Sequence, residues 1–183
     1  MTRQVRGVLF ADYVRMIRSR KDLDWSSLSD VDRASVAAKI DPQAWYPMEV
    51  FERLGNAILA TMGGGDVDLV RLWGYHSVDA LVAREPDLLA AFDPVETLTR
   101  FRIMRSTFFD FEALTIPMLH IDEANVIINY GMGPTAEEAA SWQTLGFFVR
   151  LLELAGATDI DASFTASAWQ GADATLLRLT WNP

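Results

Sequence analysis

The chain contains no cysteine and only two histidines, His76 and His120, among its 183 residues. Without thiols it has no disulfide, no thiolate metal site and no cysteine nucleophile. Two histidines also exclude a histidine-rich metal site, so we expect no bound metal. No apolar run reaches the roughly 20 residues of a membrane-spanning helix, and the N-terminal sequence MTRQVRGVLF lacks a signal-peptide pattern. We therefore expect a cytoplasmic protein without membrane insertion.

Positive charge is also scarce, because 16 lysines and arginines stand against 25 aspartates and glutamates, for a net charge of −9. Nucleic acids and anionic membranes bind to positive potential, so we expect no nucleic-acid partner. One local exception is a group of cations near the end of the first predicted helix: Arg15, Arg18, Arg20 and Lys21. They form either one basic patch or, as we favour, the solvated face and end of that helix.

Apolar residues make up half of the chain and include six tryptophans and ten phenylalanines, which is ample for the core of one domain. The first half shows amphipathic helical periodicity. It predicts helices over residues 5–20, 30–40, 48–62 and 67–83. Gly7, within the first of these, indicates a close packing contact or a later helix start.

The stretch from 93 to 114 has the clearest start signal in the chain. Asp93 is a good N-cap, Pro94 suits the first helical position and Glu96 can complete a capping box. Phenylalanines and a methionine then recur at spacings of three and four, which places them on one helical face. These residues are Phe101, Met104, Phe108 and Phe111. We predict that this stretch is the central helix of the fold.

After residue 114 the apolar period changes from helical to alternating, which predicts strands over residues 116–121, 126–132, 160–168 and 174–181. A helix over 135–155 lies between the two strand pairs. We expect Thr135 to begin it as the cap, with Glu137 as a solvated charge and Glu138 closing the capping box. The fold class is therefore α+β, a single domain over residues 1–183. A helical lobe, 1–114, packs on an antiparallel sheet lobe, 115–183, of order strand-strand-helix-strand-strand.

This order resembles the H-NOX family, the haem domains that sense nitric oxide and oxygen. The family begins with a short helix opened by glycine and apolar residues, as Gly7 to Phe10 do here. A glycine and a proline follow at the spacing of Gly74 and Pro86. The resemblance implies an H-NOX-like fold in which the central helix carries the histidine that ligates haem.

The chain departs from the H-NOX pattern at its chemical positions. The position of the ligating histidine falls at or near Arg105, and the central helix has no histidine. The family grips the haem propionates with a tyrosine, a serine and an arginine at alternate positions. Here Tyr130 matches the tyrosine, but Met132 and Pro134 replace the other two. We therefore expect no haem, and the chain resembles uncharacterised, haem-free myxobacterial proteins of this fold, with Tyr46-Pro47 and a final strand ending in Trp181.

We interpret the chain as a non-catalytic, haem-independent sensor or small-molecule-binding domain in signalling, with its site between the two lobes. A haem-free relative either fills the family's cofactor groove with side chains or binds another molecule there. The ligand that the lining suggests is small and apolar or bears a carboxylate. The candidate ligand-binding residues are Phe101, Met104, Arg105, Phe108, Tyr130 and Trp142.

Arg105 has two readings. Facing solvent, which we favour, it is an ordinary surface charge. Facing inward, it needs a carboxylate from the protein or from a ligand, because a buried unpaired guanidinium is costly.

The alternative function is a protein-interaction module with a filled pocket, acting as a homo-oligomer or with a signalling effector. It predicts exposed aromatic clusters, for which Trp25, Trp45 and Trp169 are the candidates. We do not expect an enzyme, because no nucleophile–base pair, metal cluster or phosphate loop occurs at a recognisable spacing.

Overall fold

The computed structural model describes residues 2–183 and divides into two structural units. The first unit runs up to Asp66 and includes the later segment Ser106–Phe111. The second consists of Val67–Arg105 and Glu112–Pro183. Among the helices of residues 2–183, none is long and apolar enough to cross a bilayer.

The first unit is mainly helical. Its elements are β1 (Gln4–Arg6), α1 (Gly7–Ser19), α2 (Asp30–Ala37), β2 (Trp45–Pro47) and α3 (Met48–Gly63). β1 and β2 pair antiparallel. The apolar stripes of α1 and α3 form the core with Phe10, Val14, Ile17, Leu54 and Ile58, all of which are buried.

Gly7 explains how the chain passes from β1 into α1. The predicted helix over residues 5–20 begins two residues late, because Gln4–Arg6 are extended and pair with β2. A Cβ on Gly7 would lie 2.0 Å from the backbone oxygen of Asp41. Both predictions for Gly7, a later helix start and a close packing contact, are therefore confirmed.

The second unit combines α4 (Val67–Arg84), α5 (Pro94–Met104), β3 (Leu114–Leu119), β4 (Glu123–Ile128), α6 (Pro134–Leu154), β5 (Thr158–Ala166) and β6 (Thr175–Asn182). Its four-stranded sheet is antiparallel throughout, in the order β3-β4-β6-β5. The buried side chains of β4 and β6 alternate, as expected for a sheet covered on one face. The predicted order strand-strand-helix-strand-strand is confirmed.

The central helix is shorter than the sequence predicts. α5 begins as predicted, with the Asp93 carboxylate accepting the N–H of Glu96 at 2.9 Å, but it ends at Met104. The following segment is held by extended contacts in the first unit. Phe109 forms a β-bridge with Val5, and the backbone N–H of Gln4 donates to the Asp110 carboxylate at 2.7 Å. These long-range contacts replace the helix that local spacing predicts.

The strand and helix boundaries around residue 130 were also predicted wrongly. β4 ends at Ile128, not at residue 132, because Gly131 has a φ of 63° that strand geometry excludes. α6 then begins at Pro134, after Gly133, rather than after a Thr135 cap.

Candidate functional site

The segment between β4 and α6 is held by a buried carboxylate. Glu137, in the first turn of α6, is 4% exposed. Its two carboxylate oxygens accept the backbone N–H groups of Tyr130 and Met132, each at 2.9 Å. The left-handed Gly131 between these donors lets the backbone turn around the carboxylate. Both oxygens of this side chain are therefore used to hold the segment between β4 and α6.

The Tyr130 hydroxyl is committed to a second internal contact. Tyr130 is 8% exposed, and its hydroxyl lies 2.6 Å from the hydroxyl of Thr144 on α6. Thr144 has one hydroxyl proton, which it donates to the carbonyl of Ala140 at 2.8 Å. Tyr130 is therefore the donor to Thr144.

Arg105 lies just after the end of α5, at the start of a short 3-10 turn. It is half-buried, and its Nε is buried without a hydrogen-bond partner among residues 2–183. The favoured sequence reading, a side chain that simply faces solvent, is therefore wrong for this atom. An unsatisfied guanidinium N–H is costly to bury, and a carboxylate would satisfy it.

Phe101 and Met104 lie on α5 in the second unit. Phe101 is 2% exposed, and its ring packs 5.2 Å from Phe147 and 5.1 Å from Phe148 of α6. Met104, at the end of α5, is half-buried. Phe101 is thus a core residue, while Met104 and the neighbouring Arg105 retain exposed surface.

Trp142 uses other partners. Its half-buried ring meets Phe164 of β5 edge-on at 5.1 Å, and Phe164 meets Trp169 at 5.2 Å. Trp142 and Phe101 therefore pack against different aromatic partners. Phe108 is buried and belongs to the first unit, where its carbonyl accepts the N–H of Arg6 at 2.8 Å.

A polar cluster on α4 and α6 was not predicted. Arg150 donates to the Asp79 carboxylate at 2.9 Å, and Tyr75 is hydrogen-bonded to Glu153. The hydrogen bond to Glu153 raises the pKa of the Tyr75 phenol, and the hydrogen bond to Asp79 raises the pKa of Arg150. Helical spacing alone cannot show that two helices far apart in the sequence bring these groups together.

The described residues contain no cluster of side chains that could bind a metal ion. Both histidines are exposed, and His76 packs edge-on against Tyr75 at 5.4 Å. Within residues 2–183, no group of three histidine or acidic side chains is arranged to hold a metal ion.

No family model matches the sequence, and no curated protein is similar to it. Solved H-NOX structures do match its fold. The unliganded Fe(II) H-NOX protein from K. algicida is 14% identical, with 97% of each chain covered and a TM-score of 0.63. A mutant H-NOX from T. tengcongensis is 11% identical, covering 97% of this chain and 98% of that one, with a TM-score of 0.64. The Fe(II)NO form from S. oneidensis is 10% identical, covering 97% and 99%, with a TM-score of 0.63. The chain therefore has an H-NOX-like α+β fold.

Proposed function

We propose that this chain is a haem-independent, non-catalytic sensor or small-molecule-binding domain in signalling. The observation that carries the proposal is the internal hydrogen bonding of the segment from Tyr130 to Met132. Glu137 accepts its two backbone N–H groups, and Thr144 accepts its phenol proton. A carboxylate of the protein itself thus satisfies donors at the place where the H-NOX pattern grips propionates.

The residues present do not fit a haem held in the H-NOX manner. α5 contains no imidazole, and an arginine cannot replace histidine as an iron ligand. At the propionate grip, the thioether of Met132 and the ring of Pro134 offer no strong donor to a carboxylate. These features support a fold that has kept its scaffold while losing its haem chemistry.

The ligand that we propose instead is a small apolar molecule bearing a carboxylate. It is suggested by the end of α5, where the apolar Met104 and the cationic Arg105 are consecutive and both half-buried. The buried Nε of Arg105 lacks an acceptor, and a ligand carboxylate would provide one. Phe101, one turn before Arg105, anchors this end of α5 to α6 through its contact with Phe148. Tyr130 and Trp142 make their contacts elsewhere, with Thr144 and Phe164.

A first experiment tests haem independence. The protein is produced in cells supplied with a haem precursor, and its absorption spectrum and native mass are measured. We expect no Soret band and no mass increment of haem. Stoichiometric haem in the purified protein would overturn the proposal.

A second experiment tests the ligand class with octanoate as the probe and octanol as its uncharged match. We expect octanoate, and not octanol, to raise the thermal unfolding temperature, because ligands that bind the native state stabilise it. Arg105→Met should abolish the shift, whereas Arg84→Met, which removes an exposed cation of the same unit, should preserve it. Equal shifts for wild type and Arg105→Met would contradict the assignment of Arg105.

The alternative is a protein-interaction module. Exposed tryptophans do not support it, but an exposed phenylalanine does. Trp25, Trp45 and Trp169 are each half-buried. Trp25 donates to the carbonyl of Arg20, and Arg6 lies over the Trp45 ring at 4.6 Å. Phe92, in contrast, is 92% exposed.

A further inference from the structure

Phe92 is both exposed and held in an unfavourable backbone conformation. Its φ is 60°, in the left-handed region that bulky side chains rarely adopt, and its side chain is 92% exposed. Neither burial nor backbone preference therefore explains a phenylalanine at this position.

The loop that carries Phe92 is fixed by α5. The Thr97 hydroxyl accepts the N–H of Ala90 at 2.9 Å. Arg100 donates to the carbonyls of Asp87 and Leu89 at 2.9 Å and 3.3 Å. The ring is thus presented to solvent from an anchored loop, which lowers the entropy that a contact would cost.

The surroundings of Phe92 in the sequence are acidic. Residues 85–93 include the exposed carboxylates Glu85, Asp87 and Asp93 and contain no lysine or arginine. We call Phe92 with these three carboxylates the acidic knob. A surface that receives it must combine an apolar floor with cations.

The first unit has a groove of that chemistry. It lies along α1 and residues 39–40, with a volume of about 470 Å³. Its floor is apolar, formed by Ala11, Val14 and Ile40, and its cations are Arg15, Arg18 and Lys39. We call it the α1 groove. Two of its cations belong to the basic group seen in the sequence.

These cations are poorly neutralised within the chain. Arg18 donates to the carbonyls of Val36 and Ala38, each at 2.6 Å, which does not cancel its charge. Lys39 has no ion-pair partner in the part of the chain that the structure describes. Arg15 pairs with Asp12 at 2.8 Å, but both side chains are solvent-exposed and such pairs are weak. The groove therefore retains positive potential in a protein whose net charge is −9.

From this complementarity of charge and apolarity, we propose that the α1 groove of one copy of this chain binds the acidic knob of a second copy. Phe92 fills the apolar floor, and the knob carboxylates face the cations of the groove. The contact uses different surfaces on the two copies, so it is heterologous. It does not depend on the ligand site around Arg105.

Sedimentation velocity from micromolar to millimolar concentration tests the contact. We expect the wild-type sedimentation coefficient to rise with concentration, and less so at high salt, because exposed charges are screened. Phe92→Asn should weaken association about tenfold or more, as removal of an aromatic anchor does. Ile121→Asn, which removes another exposed apolar side chain, should leave association unchanged. Monomeric wild-type protein at every concentration overturns the proposal.

The groove is tested with the double variant Arg15→Glu and Lys39→Glu, against Lys21→Glu as an exposed control outside the groove. The double variant should be monomeric and the control should associate like wild type. Mixing the double variant with Phe92→Asn leaves one intact knob and one intact groove, so a two-copy complex should reappear. Absence of this complementation, with both variants folded by circular dichroism, overturns the proposal.

Discussion

The carboxylate of Glu137 accepts a hydrogen bond from the backbone N–H of Tyr130 at 2.9 Å and is almost fully buried. It also accepts the N–H of Met132, so both oxygens are in use. Glu137→Gln replaces one oxygen with an amide group that cannot accept, which leaves either the buried N–H of Tyr130 or the part-buried N–H of Met132 unpaired. We predict a loss of about 1–3 kcal/mol in the free energy of unfolding.

Urea denaturation checks this prediction, with Glu138→Gln as the matched control. Glu138 is the adjacent, half-buried glutamate. Its substitution should change stability by less than about 0.5 kcal/mol, as surface changes generally do. Equal effects at the two positions would show that the Glu137 carboxylate does not hold the Tyr130 segment.

The crossing of α4 and α6 depends on two glycines. A Cβ on Gly146 would lie 2.0 Å from the Arg71 carbonyl oxygen, and one on Gly74 would lie 1.9 Å from the Gln143 carbonyl oxygen. Because the obstacle is backbone, no rotamer change relieves it. We predict that Gly146→Ala costs more than about 2 kcal/mol or prevents folding.

Gly64→Ala separates this overlap from ordinary glycine effects. Gly64 has a φ of 58°, and a Cβ added there would meet no atom within 4 Å, so only the left-handed backbone penalty applies. That penalty is about 1 kcal/mol. The thermal unfolding temperature of Gly146→Ala should be well below that of Gly64→Ala. The reverse order would contradict the packing argument.

Much of the architecture follows from local sequence patterns. The predictions were wrong where tertiary contacts decide the local structure. Asp93 begins α5 as its capping pattern predicts. The end of α5 was wrong because Phe109 bridges Val5, a partner about a hundred residues earlier that helical spacing cannot indicate. Glu137 shows the same limit. The prediction of a solvated charge at Glu137 was wrong, because the carboxylate is 4% exposed and accepts the N–H of Tyr130 beside the left-handed Gly131.

The site shows a similar division between what could and could not be predicted. The missing histidine of the central helix was visible in the sequence alone. The buried Nε of Arg105 depends on how its surroundings pack, so the sequence left both orientations open. The exposure of Phe92 was not anticipated, because an apolar residue between two helices is ordinarily expected to pack in the core.

Asp32 gives the fold a dependence on pH. Burial raises its pKa, but hydrogen bonds from Arg53 and Ser29 outweigh burial, so the pKa is lowered overall. A lowered folded-state pKa contributes stability above the unfolded value of about 3.9, and this contribution is lost as pH falls through the folded value. Asp32→Asn should therefore destabilise at neutral pH, by about 1–2 kcal/mol through the weakened cap and ion pair.

Urea denaturation between neutral and acidic pH measures the effect. The difference between wild type and Asp32→Asn should shrink below about pH 4, as the wild-type carboxylate becomes protonated. Asp30→Asn is the control, because Asp30 is exposed and lies 3.8 Å from Arg33 in a loose pair. A difference for Asp32→Asn that stays constant across this range would contradict the role of its charge.

Phenylalanine at position 92 should make the monomeric protein less stable than asparagine would. Its φ of 60° is unfavourable for a phenylalanine, whereas asparagine tolerates this region. We predict that Phe92→Asn raises the free energy of unfolding by about 0.5–1 kcal/mol, measured by urea denaturation at a concentration where the protein is monomeric. Phe92→Ala removes the same ring but keeps the backbone penalty, so it should raise the free energy of unfolding by less. If both variants have the same stability, the backbone at Phe92 is not strained. If asparagine is the more stable, Phe92 has a cost to the monomer that a contact made by its exposed ring would offset.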